Sequence, residues 1–421
     1  MTDIVHYICI LGLLILNSCG QKEPEKKPGD DDLTGKEIPA ATVGEPLPAW
    51  SDGCLDIHFI STNRGECAFY ILPDGTTMVV DAGDIHSSND ENPQRPDSQT
   101  RAYETYSKYI KHFLPASSGG KLDYAFLTHF HIDHMGEING SNAVHPEGGY
   151  QLCGLSGLFE TVPFRTIVDR GFPTYSDDPS IFSPTQESQS TGNYIKFVNY
   201  VVGNKGVNAQ RFIVGTERQF VLTGENRAKY KHFRIFNHVG NGMCYRKDDV
   251  GNEYISTSTP ASENATSCGI HIKYGKFDFI TAGDLVSAPQ NQQAFYNSEC
   301  VGHLEAFKSN HHLNSNSWGS KMKELNFSPR VVIVPSFSTK HADPDIMTYL
   351  LEQSWQKDIY LTKNWDSNME AHKDMYSKCA GYDGHVVIRV APGGSTFQVY
   401  MLDNTGEQYT VKSVSETYAS K

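Results

Sequence analysis

No part of this 421-residue chain has the roughly 18 consecutive apolar residues that cross a bilayer as a helix. Positive charge is also scarce. Lys and Arg total 36 against 49 Asp and Glu, for a net charge of −13. That balance argues against broad capture of long nucleic acids, because phosphate binding relies on basic side chains releasing counterions. Nine cysteines are present without a C-x-x-C pair, which disfavours a zinc ribbon or a thioredoxin motif. There is no internal repeat. What remains is a globular composition. With 38% hydrophobic residues, the chain can bury one large core or two smaller ones.

The N-terminus reads as a secretory segment. Residues 8–16 are mostly apolar and fit a signal h-region, although the preceding residues carry Asp3 and no Lys or Arg. Leu16-Asn17-Ser18-Cys19 resembles a bacterial lipobox, which implies removal of residues 1–18 and lipidation of Cys19. The stretch that follows is rich in Lys, Glu, Asp, Pro and Gly and includes Asp30-Asp31-Asp32. Such a composition cannot bury enough apolar surface to fold, so residues 19–50 are expected to be a flexible tether. A lipidated Cys before a charged, Pro-rich linker resembles lipoproteins of the Bacteroidetes. The expectation is an outer-membrane lipoprotein facing the periplasm or the cell surface, with residues 51–421 as the functional domain. Of the remaining cysteines, most are expected to be buried core residues and at least one to be a free thiol.

Alternating or continuous apolar runs predict strands over 55–60, 67–72, 77–80, 124–127, 165–168, 219–222, 232–236, 270–274, 277–280, 330–334, 359–361, 385–390 and 397–401. Pro73-Asp74-Gly75 and Gly275 mark hairpin turns. Helical spacing is read at 103–113, 194–201 and 345–356, and residues 86–100 read as a polar loop. Strands with interspersed helices predict a layered α/β sandwich.

One segment carries more chemistry than the rest. His129-Phe130-His131-Ile132-Asp133-His134 places three imidazoles and a carboxylate within six residues, just after the strand at 124–127 and Thr128. Divalent metals such as zinc take imidazole nitrogen and carboxylate oxygen. A fixed scaffold directs His129 and His131 to one ion, and Asp133 and His134 to a second. The bland alternative is a solvated polar turn.

These residues match the H-x-H-x-D-H motif, and the chain resembles a metallo-β-lactamase-fold hydrolase over residues 54–402. The opening hairpin, Ile57-His58-Phe59-Ile60 through Arg64-Gly65-Glu66-Cys67 to Asp81-Ala82-Gly83, resembles the ComEC-type branch, which includes phosphorylcholine esterases. The resemblance implies a four-layer αββα metallo-β-lactamase sandwich and two divalent ions, Zn²⁺ first, with Mn²⁺ or Fe²⁺ as alternatives. Phe279-Ile280-Thr281-Ala282-Gly283-Asp284 resembles the turn that supplies a bridging aspartate, here Asp284. Asn264-Ala265-Thr266-Ser267 resembles a site-lining Asn-x-x-Ser pattern, with a plain polar loop as the alternative. Lys308-Ser309-Asn310-His311-His312-Leu313 resembles the H-H-G-S segment, with Leu313 in place of glycine. His311 is favoured as a metal ligand and His312 as the group that protonates a leaving group. His341-Ala342-Asp343-Pro344 resembles an H-P segment at the pocket rim, although helix capping by Asp343 explains its end equally well. The first ion's third ligand is left open among His238, Asp169 and His145. Asp81 is expected to orient a ligand imidazole.

The resemblance therefore implies a metal-dependent hydrolase with a metal-bound hydroxide, positioned by Asp133 and Asp284. Phosphodiesterase activity on a small-molecule or glycan-linked ester is the leading expectation, with no protein partner. The alternatives are a lactonase or β-lactamase, and a non-catalytic surface binding protein that retains the fold.

Overall fold

Period-two alternation sets the first layer. Strand β1 (Leu55–Phe59) sends Leu55, Ile57 and Phe59 into the core between two sheets, while Asp56 and His58 face the other way, beneath a helix. The computed structural model describes residues 37–86, 94–175, 186–248, 250–286 and 303–421.

The first sheet continues from β1 through β2 (Ala68–Ile71), β3 (Thr77–Val80), β4 (Leu122–Phe126), β5 (Phe164–Asp169) and β6 (Asn208–Arg211). On the other side of β1 lie β16 (His385–Val390), β17 (Thr396–Leu402) and β18 (Val411–Val414), and β19 (Tyr418–Ala419) also pairs with β17. The second sheet begins with β7 (Phe233–Gly240), β8 (Met243–Lys247), β9 (Glu253–Thr257), β10 (Gly269–Tyr274) and β11 (Phe277–Thr281). It is completed by β12 (His303–Lys308), β13 (Ser328–Val334), β14 (Asp358–Leu361) and β15 (Gly381–Tyr382). Residues such as Tyr70, Phe126, Ile272 and Phe279 fill the space between the sheets.

Helices α1 (Ala102–Phe113), α3 (Gly154–Thr161) and α4 (Gln186–Lys205) pack on the outer face of the first sheet through Tyr106, Leu158 and Phe197. A one-turn helix, α2 (Ile132–Met135), carries part of the histidine cluster. Helices α5 (Ser320–Glu324) and α6 (Pro344–Glu352) bury Met322 and Met347 against the second sheet, and α7 (Asp366–Tyr376) adds Tyr376. Asp343 caps α6 by accepting from the N–H groups of Asp345 and Ile346, with Pro344 in the first turn. The result is a mixed α/β protein of two face-to-face sheets with helices on the outside. Among the described residues, no helix is long and apolar enough to cross a membrane.

Several expectations shift. Residues 219–222 form no strand. Phe220 is buried by packing on Tyr124 and Phe126, without a ladder partner. The outer strand of that sheet region is 208–211 instead. Residues 37–50, part of the expected tether, belong to the folded body. Gly44 and Glu45 exchange backbone hydrogen bonds with Val411, and Leu47 is buried. Arg389 also donates to the Pro48 carbonyl. Residues 1–36, with the expected signal segment and Cys19, lie outside the described residues, as does Cys300. The six described cysteines, among them Cys54, Cys67 and Cys268, are free, and all but Cys379 are buried.

Each sheet runs the strands of one side in parallel, β3 to β6 in one and β11 to β15 in the other, out to an edge. Ligands in open α/β sheets gather outside the carboxyl ends of such strands. The Cys268 N–H bonds the Thr128 carbonyl and so joins the two sheets at that end.

Candidate metal centre

The principal residues predicted from the sequence as ligands or catalytic groups, His129, His131, Asp133, His134, Asp284, His311 and His312, converge there. β4 exits into Thr128 and His129, β11 into Asp284, and β12 into His311 and His312. Asp284 is the hub. Its Oδ1 lies 3.2 Å from both His134 Nε2 and His312 Nε2. Its Oδ2 lies 4.0 Å from His129 Nε2 and 3.8 Å from His311 Nε2. Asp133 Oδ2 is 3.4 Å from His312 Nε2 and 3.8 Å from His134 Nε2. On the other side His129 Nε2 faces His131 Nδ1 at 3.1 Å. The set divides into two halves, one holding His129, His131 and Asp284 Oδ2, the other holding Asp133, His134, His312 and Asp284 Oδ1.

Two tight turns make this approach possible. A Cβ on Gly83 would sit 1.8 Å from the Asp133 carbonyl oxygen. Gly283 has φ +48°, and a Cβ there would meet Thr128 Oγ1 at 2.6 Å. Neither position accepts a side chain without moving a ligand loop.

Asp81, at the end of β3, fixes the ring nitrogens. Its Oδ1 accepts the Thr128 N–H at 2.8 Å, and its Oδ2 accepts the Thr128 hydroxyl at 2.8 Å. His134 Nδ1 donates to the same Oδ2 at 2.8 Å. Because the Thr128 hydroxyl hydrogen is committed to Asp81, its oxygen accepts from His129 Nδ1 at 3.1 Å. One buried carboxylate therefore sets the tautomers of His129 and His134, leaving Nε2 of each as a lone-pair donor. His312 Nδ1 bonds the Pro335 carbonyl at 3.0 Å, with the same effect. Metal-binding histidines are characteristically held in this way.

The consequence is electrostatic. In the neutral tautomers, His134 Nε2 and His312 Nε2 point lone pairs at a carboxylate oxygen. Among the described residues, neither nitrogen nor Asp284 Oδ1 makes a hydrogen bond, although all three are buried. Lone pairs facing lone pairs need a cation between them. Protons fill that role when no metal does. Against burial, which lowers it, Asp284 and Asp133 push His312 up to about 9. Against burial, Asp284, Asp81 and Asp133 push His134 well above its ordinary value. Asp284 is held well below the carboxylate range despite burial, by His312 and His134. His129 is lowered by burial and by the neighbouring imidazoles His134 and His131. An all-nitrogen-and-oxygen donor set with this orientation fits one or two borderline divalent ions.

The two adjacent histidines depart from expectation. His312 is the one that stands beside Asp133 and His134. His311 lies on the His129 side, where its Nδ1 contacts Asn316 Oδ1 at 2.5 Å and its Nε2 contacts Asn264 Nδ2 at 3.3 Å. Both rings thus reach Asp284, His312 Nε2 at its Oδ1 and His311 Nε2 at its Oδ2. The reason is backbone geometry. His311, His312 and Leu313 have φ of 45°, 52° and 57°, three consecutive left-handed residues. An extended segment would send the two rings to opposite sides, but this turn keeps both near Asp284. Leu313 replaces glycine in that conformation and recovers the cost by full burial in the core under α5 and α6.

The three candidates for a further ligand are engaged elsewhere. Asp169 accepts from the N–H groups of Gly171 and Phe172 and from the Tyr175 and Tyr194 hydroxyls. His145 stacks on Tyr150 and lies 3.8 Å from Glu160. His238 packs against Phe236, Tyr245 and His271.

Sequence reading passed over Thr128 as a hydrogen-bond link and Glu66 and Lys308 as a buried pair. Ser267, in the expected site-lining pattern, accepts the Asp284 N–H on its hydroxyl at 3.1 Å. A lysine and a glutamate placed next to apolar strands were the available signal for the pair. The side chains of Asp133 and His311 are part-exposed, at 20% and 18%, whereas Asp284, His129, His134 and His312 are buried. His341 stacks on His312 with ring centroids 4.8 Å apart and forms part of the wall behind it. Neither a scan against protein-family models nor a search of curated proteins finds a match to this chain.

Proposed function

We propose that this chain is a metal-dependent hydrolase with a four-layer αββα metallo-β-lactamase sandwich, acting on phosphodiesters outside the cytoplasm. The observation that carries the reading is the convergence of His129, His131, Asp133, His134, His312 and Asp284, with ring tautomers held by Asp81, Thr128 and Pro335. His129, His131 and Asp284 would hold one divalent ion, and Asp133, His134, His312 and Asp284 a second. When bound, such ions supply a hydroxide near neutral pH and polarise the oxygen of the scissile bond.

The protein's own groups do the rest. Asp284 reaches both halves through its two oxygens and fixes their separation. Asp133, partly exposed, orients the attacking oxygen. His311, fixed by Asn316 and Asn264 and part-exposed, would hold the substrate's leaving oxygen. Asp81 and Thr128 keep the ligand imidazoles oriented between turnovers. The preference for phosphodiesters over lactones and lactams rests on the ComEC-type motifs, and the lipid anchor rests on the Leu16–Cys19 pattern.

The test combines metal content with turnover of bis-p-nitrophenyl phosphate, a phosphorylcholine ester and a chromogenic lactam by the purified protein. Two ions per chain and phosphodiester cleavage are expected. Cleavage of lactams or lactones alone would reject the substrate class. A chain that binds no divalent metal would reject the reading.

A further inference from the structure

We propose that the buried Lys308–Glu66 ion pair is a positioning element for one half of the centre, tying together the three loops that carry Asp133, Asp284 and His312. The inference rests on the two-ion reading above. Lys308 is the last residue of β12, and Glu66 precedes β2. Their side chains are 0% and 2% exposed, with Nζ 2.7 Å from Oε2.

Each end of the pair reaches a different loop. Lys308 Nζ also donates to the Gly283 carbonyl at 2.8 Å, one residue before Asp284. The Glu66 carboxylate lies 3.4 Å from His312 Nδ1, the ring nitrogen turned away from the centre. The Glu66 N–H donates to the Asp133 carbonyl at 2.8 Å, and its own carbonyl accepts from Gly83 at 2.8 Å. The pair thus touches the Asp284 turn and the His312 ring through its side chains, and the Asp133 loop through the Glu66 backbone. Its contacts run to the half that holds Asp133, His134 and His312. The His129–His131 side is held separately, by Glu263, which accepts from the Phe130 N–H between the two histidines.

Glu66 lies close enough to His134, Asp284 and His312 to be taken for a ligand itself. Lys308 argues against that, because its ammonium lies 2.7 Å from Oε2 and already balances the carboxylate charge. A buried pair is also a poor device for stability alone, since well-packed apolar residues do as well or better. Its use here is directional. It fixes ring and backbone positions that an apolar contact leaves free to slide.

The test measures affinity of the full chain for each of two Zn²⁺ ions, by chelator competition, in Lys308→Met, Glu66→Gln and the double variant. Co²⁺ absorption reports the geometry of each half. The expected result is a 10- to 100-fold weaker second ion with the first ion unchanged, as for other outer-shell partners. The double variant should lose no more than the singles. Arg389→Met breaks a buried pair remote from the centre and controls for general loss of stability. It should leave the ratio of the two affinities unchanged. Glu66→Asp keeps the charge but withdraws the carboxylate, and should show the same selective loss even if the other variants fail to fold. Equal weakening of both ions, or no weakening, would overturn the proposal while leaving the two-ion reading intact. Absence of ions in the unaltered protein would overturn both.

Discussion

Asp81→Asn is the sharpest single perturbation of the centre. The replacement is isosteric, and asparagine tolerates the left-handed backbone that Asp81 adopts at φ 58°. Packing and chain path should therefore survive. The hydrogen-bond pattern does not. Asp81 accepts three donors at 2.8 Å, one on Oδ1 and two on Oδ2. An amide keeps an oxygen for the Thr128 N–H but turns an NH₂ toward the other two donors. The Thr128 hydroxyl must then reverse and donate to His129 Nδ1, while His134 must accept at Nδ1. Both rings would carry their proton on Nε2, the atom that faces Asp284. A metal would have to displace that proton and impose the unfavourable tautomer. Loss of such an orienting group costs roughly 10- to 100-fold in metal affinity, about 1.4–2.8 kcal/mol. Both ions should weaken, in contrast to the selective effect expected from Lys308 and Glu66. Chelator competition gives the affinities, and thermal melting of the metal-free variant checks the fold. A folded Asp81→Asn protein that retained both ions at unaltered affinity would refute the tautomer argument.

Three further outcomes are expected. Without metal, His134 and His312 are held above their ordinary pKa, so each binds a proton at pH 7 and releases it when an ion enters. Metal affinity should rise with pH up to about 9, where His312 gives up its proton. Calorimetry in buffers of different ionisation enthalpy should report about two protons released per chain, and a buffer-independent enthalpy would contradict this. Leu313→Gly relieves a left-handed residue, roughly 1–2 kcal/mol, but empties a fully buried site, roughly 2–5 kcal/mol. Urea unfolding should show a net loss, and a stabilised variant would mean that the turn is more strained than its packing compensates. Arg389→Met strands Asp56, which is fully buried and bonded to Arg389 at 2.6 and 2.8 Å. The cost should be about 3–5 kcal/mol at neutral pH. Burial raises the Asp56 carboxyl, but Arg389 outweighs it and holds the pKa below the ordinary value. The pair's contribution is thus present above the unfolded carboxylate pKa and fades as pH falls through the lower folded one. The gap between variant and parent should narrow at low pH, and a gap that stayed constant would remove Asp56 as its source.

Much of the centre was legible without coordinates because its parts are local. Three imidazoles and a carboxylate fall within six residues, and the strand that delivers them has a clear apolar pattern. Asp284 follows a strand and a glycine turn, so its placement at a strand exit could be read directly. Less was legible where charge interrupts the pattern. β12, His303–Lys308, went unrecognised because Glu305 and Lys308 are charged, yet both are buried and paired. Conversely, Phe220 and its apolar neighbours suggested a strand where packing, not a ladder, buries the ring.

The sequence by itself determined the kind of donors, their grouping in the chain and the strand ends that present them, because period and spacing are properties of neighbouring residues. Tertiary structure alone decided which nitrogen each ring offers. His134 and His129 take their orientation from Asp81 in another strand, and His312 takes its from Pro335 after a third. It also placed both His311 and His312 beside Asp284, through three consecutive left-handed residues ending at the buried Leu313. Ring orientation follows from hydrogen bonds between segments distant in the chain, and those bonds exist only once β3 has paired with β4 in one sheet and β12 with β13 in the other.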